Sequence, residues 1–184
     1  MVIINYLKTK KQIKMKNLNL TLTTLIFCLL TSLSYSQDYQ IKDGYFITTL
    51  KSGVGEMINV KLSVSAETIN LIQSHDCFKN WDSITFNNPK NADFIEKHKS
   101  HQHYETFLFS NINMTSIYAQ MDLKNYQSYL PIEGSEGMVY ITDGKINISF
   151  PFKAQNGYGN MIFMKAYYSM KFVNGKTETT HFVN

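Results

Sequence analysis

Two dipeptides limit this chain more than any other feature: Asp143-Gly144 and Asn174-Gly175, each lying between runs of alternating apolar residues. A two-residue hairpin loop of type I′ needs φ > 0 at both central positions, which Asn, Asp and Gly tolerate and β-branched residues do not. Such a loop also sets register. With Asp143-Gly144 as the turn, Ile141 faces Ile146, Val139 faces Ile148 and Gly137 faces Phe150, so one side of the pair is apolar throughout. The other side pairs Thr142 with Lys145, Tyr140 with Asn147 and Met138 with Ser149. The second turn places Lys171 opposite Glu178 and Ser169 opposite Thr180, with Phe172, Met170, Tyr168, Ala166, Met164 and Ile162 on the core side. Opposite charges across strands suit such a register, and a slip of one residue would reverse every side chain. The expectation is four consecutive antiparallel strands from Gly137 to Val183, joined in the middle by the loop Ala154–Asn160. Two hairpins with one apolar face need a covering layer, which the rest of the chain must supply.

The first 36 residues read as an export leader. Lys8, Lys10, Lys11, Lys14 and Lys16 precede an apolar run from Leu18 to Leu33, and Ser34-Tyr35-Ser36 gives a small-residue exit before Gln37. Met15 is the more natural start. The run is broken by Asn19, Thr21, Thr23 and Thr24 and is short for a retained span of about 20 residues. Cys28 lies inside the run, where it does not form a lipoprotein signal. Residues 37–184 then form a single domain, periplasmic or secreted, with no stable membrane span after cleavage.

Removing the leader reverses the charge balance. All 14 acidic residues follow Gln37 and 5 of the 18 basic ones precede it, leaving 13 lysines against 14 carboxylates, a net of −1. The chain contains no arginine, the residue best shaped for phosphate and base edges, so nucleic-acid binding has no support. Only Cys77 remains in the mature chain, which excludes an internal disulfide.

Upstream of the hairpin block, Tyr45 to Leu50 and Ile58, Val60, Leu62 and Val64 read as a first hairpin around Ser52-Gly53-Val54-Gly55. Gly53-x-Gly55 is a turn, since no third glycine and no helix follow to make a nucleotide fingerprint. Residues 65–72 suit either a short helix capped by Ser65 or a strand. Ser83–Phe86 reads as extended, Ala92–Lys99 as a helix with Asn91 as N-cap, and Thr106–Phe109 and Ile112–Met121 as strands. The fold class expected is mainly β, a single antiparallel β-sandwich or open barrel with one or two short helices.

Few residues suggest chemistry. His98, His101 and His103 form the one concentration of ligand-type side chains, with His75, Asp76 and Cys77 upstream; imidazoles at i and i+3 or i and i+2 could give two nitrogens to zinc. No familiar zinc spacing is present, and the preferred reading is a solvated polar segment. Cys77 with a histidine base would be a thiol nucleophile only in a cationic or helix-terminal setting. His181 faces Tyr168 in the expected register, as a cross-strand histidine. No nucleophile elbow, His-Glu-x-x-His or phosphate loop occurs. Among 12 Tyr and 12 Phe, Tyr118, Tyr126, Tyr129 and Tyr158 fall near expected loops or strand ends, where rings could stack on a sugar or anchor a protein.

The leader ending in Ser-Gln, the absence of arginine, the richness in Asn and Lys, and the segments Tyr140–Gly144, Phe150-Pro151-Phe152 and Gly157-Tyr158-Gly159 resemble uncharacterised small exported β-domain families of Bacteroidota. The resemblance covers the C-terminal third, with Phe150 in place of the leucine usual in their Leu-Pro-Tyr/Phe element. It implies export and a β fold and carries no activity. The reading that results is an exported, non-enzymatic binding or envelope-associated domain for an unknown protein or glycan partner. The alternative is a metal-binding or metal-dependent hydrolytic protein using His98, His101 and His103.

Overall fold

The computed structural model describes residues 39–184. The leader read over residues 1–36, with its start at Met15, lies outside them. The described chain begins with strands β1 (Gln40–Lys42), β2 (Tyr45–Lys51) and β3 (Met57–Ser63), continues through helices α1 (Ala66–Ser74), α2 (Asp76–Phe86), α3 (Ala92–His98) and α4 (His103–Met121), and ends with β4 (Leu130–Pro131), β5 (Glu136–Thr142), β6 (Lys145–Gln155), β7 (Met161–Val173) and β8 (Lys176–Val183). Single 3-10 turns occupy Pro89–Asn91 and Tyr126–Ser128.

The strands form one open sheet in the order β1-β2-β3-β5-β6-β7-β8, with β4 pairing to β6. Every pairing is antiparallel except β3 with β5. A parallel step needs a long crossover, and all four helices are spent on it. They therefore lie together on one face of the sheet, where α4 packs against β2, β6, β7 and β8.

Both expected hairpin registers are found: Ile141 opposite Ile146 and Val139 opposite Ile148, then Lys171 opposite Glu178 and Tyr168 opposite His181. Asp143, Gly144, Asn174 and Gly175 all have positive φ. A third turn of the same kind, Asp43-Gly44, joins β1 to β2; it carries the same dipeptide signal and escaped notice because β1 has only three residues. The first-hairpin reading holds as well, with Phe46 opposite Leu62 and Thr48 opposite Val60. Pro151 lies mid-strand in β6, between Ser149, where β5 stops pairing, and Phe152, where β4 begins, so its missing N–H falls at a gap in the ladder.

The core is the inner face of the sheet against the helices. Phe46, Leu50, Val60, Leu62, Val139, Ile146, Ile148, Phe150, Phe152, Ala166, Tyr168 and Met170 are buried on one parity of each strand, facing Phe107, Leu108, Phe109 and Ile112 of α4. The cover is thus helical and not a second sheet, and four helices replace the one or two expected.

Two sequence readings are corrected. Ser83–Phe86 is the last turn of α2, and Thr106–Phe109 with Ile112–Met121 form one helix of 19 residues instead of two strands. The β-branched and aromatic residues of α4 favour strands by propensity, but Leu108, Ile112, Thr115 and Ala119 recur at helical spacing and are all buried. Its polar residues are accommodated by bonding back one turn: the side chains of Ser110, Asn111, Asn113 and Thr115 donate to the carbonyls of Thr106, Phe107, Phe109 and Asn111. At its start, Glu105 accepts from the Gln102 N–H at 3.0 Å. Residues 65–72 resolve to the helical alternative, Ser65 accepting from the Thr68 N–H at 3.0 Å. Asn91 precedes α3 as expected but makes no side-chain cap, its amide donating instead to the Thr85 carbonyl.

Candidate functional site

The histidine segment divides between two environments. His98, last residue of α3, is buried, and its Nδ1 lies 3.0 Å from the Tyr39 hydroxyl, which lies 2.8 Å from Thr106 Oγ1. Burial, then the charges of Lys97 and His101, pull the His98 pKa down to about 4, and burial pushes Tyr39 up to about 12. The Tyr39 ring is sandwiched between His101, at 4.0 Å between centroids, and Phe109, at 4.4 Å. His103 instead heads α4 and turns to α2: its ring stacks on Phe86 at 3.6 Å, and its Nδ1 lies 2.6 Å from Asp82 Oδ1. One ring nitrogen of His98 and one of His103 are therefore engaged with protein; His98 and His101 share Tyr39 as a neighbour, and His103 faces Phe86 and Asp82. Among the described residues no group of three or more His, Cys, Asp or Glu side chains is placed to hold a metal ion.

Cys77 is buried in the first turn of α2, and burial raises its thiol pKa, the opposite of what a nucleophilic thiolate needs. His75 beside it acts structurally. Its Nδ1 accepts from the Cys77 N–H at 3.1 Å as the helix cap, and its Nε2 lies 3.1 Å from the Gly144 carbonyl, tying the α1–α2 corner to the β5–β6 turn. His181, opposite Tyr168 as expected, stacks on Tyr118 at 4.3 Å and approaches Asp122 at 3.8 Å.

The four tyrosines singled out by sequence do not converge. Tyr118 lies on α4, half-buried between His181 and Tyr168. Tyr129 is a core residue, packed on Phe152 and accepting from Ser116 Oγ at 2.8 Å, with its pKa raised by burial. Tyr126 and Tyr158 are exposed and share one end of the sheet. There three segments are stitched together: the Gly53 N–H donates to the Tyr129 carbonyl at 2.8 Å, the Gln155 N–H to Ser128 Oγ at 3.0 Å, and the Asn125 amide to Gln155 Oε1 at 2.9 Å.

The arrangement that sequence reading missed is the outer face of the sheet, away from the helices. Register places Tyr45, Ser63, Met138, Ser149, Tyr167 and Phe182 in one row across β2, β3, β5, β6, β7 and β8. At about 4.8 Å per strand the row spans roughly 24 Å. Tyr167 and Phe182 stack at 4.5 Å between centroids, and Met138 and Phe182 are exposed. Three lysines on this face lie over rings: Lys61 on Tyr45 at 4.9 Å, Lys153 on Phe163 at 4.8 Å and Lys165 on Tyr167 at 5.2 Å. Among the described residues Lys61 is also paired with Glu136, whereas Lys153 and Lys165 have no carboxylate within ion-pair distance. Part of the signal was local: of the outward positions in the first half of β7, Met161, Phe163 and Tyr167 are apolar or aromatic around Lys165, where a solvated strand face would be polar.

No protein-family model, no curated protein and no solved structure matches the chain.

Proposed function

We propose that the chain is an exported, non-enzymatic binding domain, periplasmic or secreted, that presents the outer face of its sheet to a glycan. The observation that carries this is the cross-strand row of Tyr45, Met138, Tyr167 and Phe182; in the same row Ser149 is buried and the Ser63 hydroxyl donates to the Gly137 carbonyl. An antiparallel sheet covered on one side by helices leaves its other side to water, and natural sequences fill that side with polar residues unless it is used. Flat rings spaced along one face suit pyranose rings, whose C–H groups stack on aromatic faces. The strongly shifted groups, His98, Tyr39, Tyr129 and Tyr168, belong to packing: each is buried and engaged with neighbours, away from this face.

The test is retention of the protein on a panel of soluble neutral and acidic polysaccharides by affinity electrophoresis. Truncating the stacked pair, Tyr167→Ala with Phe182→Ala, is expected to weaken the best interaction at least tenfold, because stacked aromatic anchors dominate such surfaces. Retention unaffected by the double substitution, or none by the unmodified protein, removes the glycan reading.

A further inference from the structure

At its end the β6–β7 hairpin exposes apolar side chains of β7 on both faces. Met161, Ile162 and Phe163 are exposed in succession, at 47%, 38% and 73%, and Tyr158 at the apex is 92% exposed. Met161 and Phe163 point to the outer face and Ile162 to the inner one, since strand side chains alternate. A run of three exposed apolar residues is disfavoured in a soluble domain unless something covers it. A flat partner covers one face of a strand; a hairpin end apolar on both faces suits a medium that surrounds it.

We infer that this hairpin end docks the domain peripherally on an anionic lipid surface, with Tyr158, Met161, Ile162 and Phe163 dipping into the interface. Two further observations fit that occupant. The loop bonds four of its own N–H groups: that of Asn156 donates to the Asn160 carbonyl at 2.9 Å, that of Gly159 to the Asn156 carbonyl at 3.0 Å, and those of Tyr158 and Asn160 to Asn156 Oδ1 at 2.9 and 3.0 Å. Lipid supplies no replacement for such bonds, so N–H groups already bonded within the loop lower the cost of entering the interface. Charge also fits: of the five lysines between Asp143 and Glu178, a stretch without an acidic residue, Lys145, Lys171 and Lys176 lie at the far ends of the strands, and Lys153 and Lys165 lie near the tip. Lys153, opposite Phe163, and Lys165, two residues further along β7, stand behind the apolar end at headgroup height, where their stems lie along apolar surface and their ammonium groups meet lipid phosphates. Aromatic rings at the boundary complete the pattern of an interfacial anchor.

This inference uses residues other than the Tyr167–Phe182 pair and stands or falls separately from the glycan reading. It is tested by co-sedimentation with vesicles of equimolar phosphatidylcholine and phosphatidylglycerol against pure phosphatidylcholine. Residues 37–184 are used throughout, so that the basic, apolar segment before them does not itself bind the vesicles. Phe163→Asp with Tyr158→Asp, both at exposed positions and checked by melting temperature, is expected to lower binding to the anionic vesicles at least tenfold. Lys153→Gln and Lys165→Gln are expected to lower it roughly fivefold each and to flatten its salt dependence. As a local readout, the indole introduced by Phe163→Trp should be quenched by lipids brominated along the acyl chain. Tip variants that bind as the unmodified protein does, or an indole beyond reach of the bromines, overturn the inference.

Discussion

At Asp143 and Gly144 the backbone has φ of 50° and 66°, the left-handed region that a two-residue hairpin loop requires. A Cβ added at Gly144 would meet nothing within 4 Å, so any cost of substitution there lies in the backbone and not in a clash. Gly144→Val puts a β-branched side chain into that region and should destabilise the fold by about 1–2 kcal/mol, visible as a melting temperature several degrees lower. Gly144→Asn, a residue that tolerates the region, should recover most of the loss. An equal loss for both would place the cost elsewhere, the first candidate being the contact between His75 Nε2 and the Gly144 carbonyl at 3.1 Å.

At the level of elements, legibility followed the directness of the local signal. Two Asx-Gly turns, the Ser52–Gly55 loop and strict alternation put β2, β3 and β5–β8 within reach of the sequence, because turn chemistry and pleat restrict the same residues independently. Helix α4 was not legible from propensity. Thr106 to Phe109 is a short apolar run that fits a strand as well as a buried helix, and the side chains that bond back to carbonyls one turn earlier become helix-compatible only once the helix exists. Of the outer face only the apolar outward positions of β7 carry a local signal; the row as a whole joins six strands through a parallel step that no local pattern announces. Gly53 illustrates the same limit. Its loop was readable as a turn, but an ideal Cβ there would sit 2.1 Å from the Tyr126 carbonyl oxygen and 2.7 Å from the Gln127 backbone, a packing requirement set by a segment over seventy residues away. Gly53→Ala must push two backbones apart, at a cost of about 1–3 kcal/mol by analogy with overpacked cores. Hydrogen exchange at Ser128 and Tyr129 should rise with it, since their turn is held by the Gly53 N–H to Tyr129 carbonyl bond. Unchanged exchange there would show that the two loops are not coupled.

For the molecule as a whole, the Tyr39 site links the start of the described chain to both layers. Its ring lies against Phe46 of β2 and Phe109 of α4, and its hydroxyl lies within hydrogen-bond reach of His98 and Thr106. His98 is held neutral there. The groups around it are Phe94, Lys97 and His101 from its own helix and the turn that follows, Phe109 from α4, and Tyr39, and none of them is an acid that would favour the imidazolium. Its pKa falls from an ordinary value near 6.5 to about 4 on folding, so the unfolded chain takes up the proton first as pH drops. The contribution of His98 is therefore intact above about pH 6.5 and is lost progressively as pH falls to about 4, with an upper limit of about 3 kcal/mol. Against a total of roughly 5–15 kcal/mol for a domain, that is enough to move an acid transition. Carboxylates titrate in the lower part of the same window, so the separating measurement is a comparison with His98→Gln, which cannot be protonated. The substitution should cost stability at about pH 7.5, and its deficit should shrink as pH approaches 4.5, because only the unmodified protein pays the proton penalty. A deficit constant across that range, in urea midpoints taken at each pH, would mean that His98 is not held neutral by burial in the folded state. The Tyr39 site would then join the layers by packing alone, with no proton linkage.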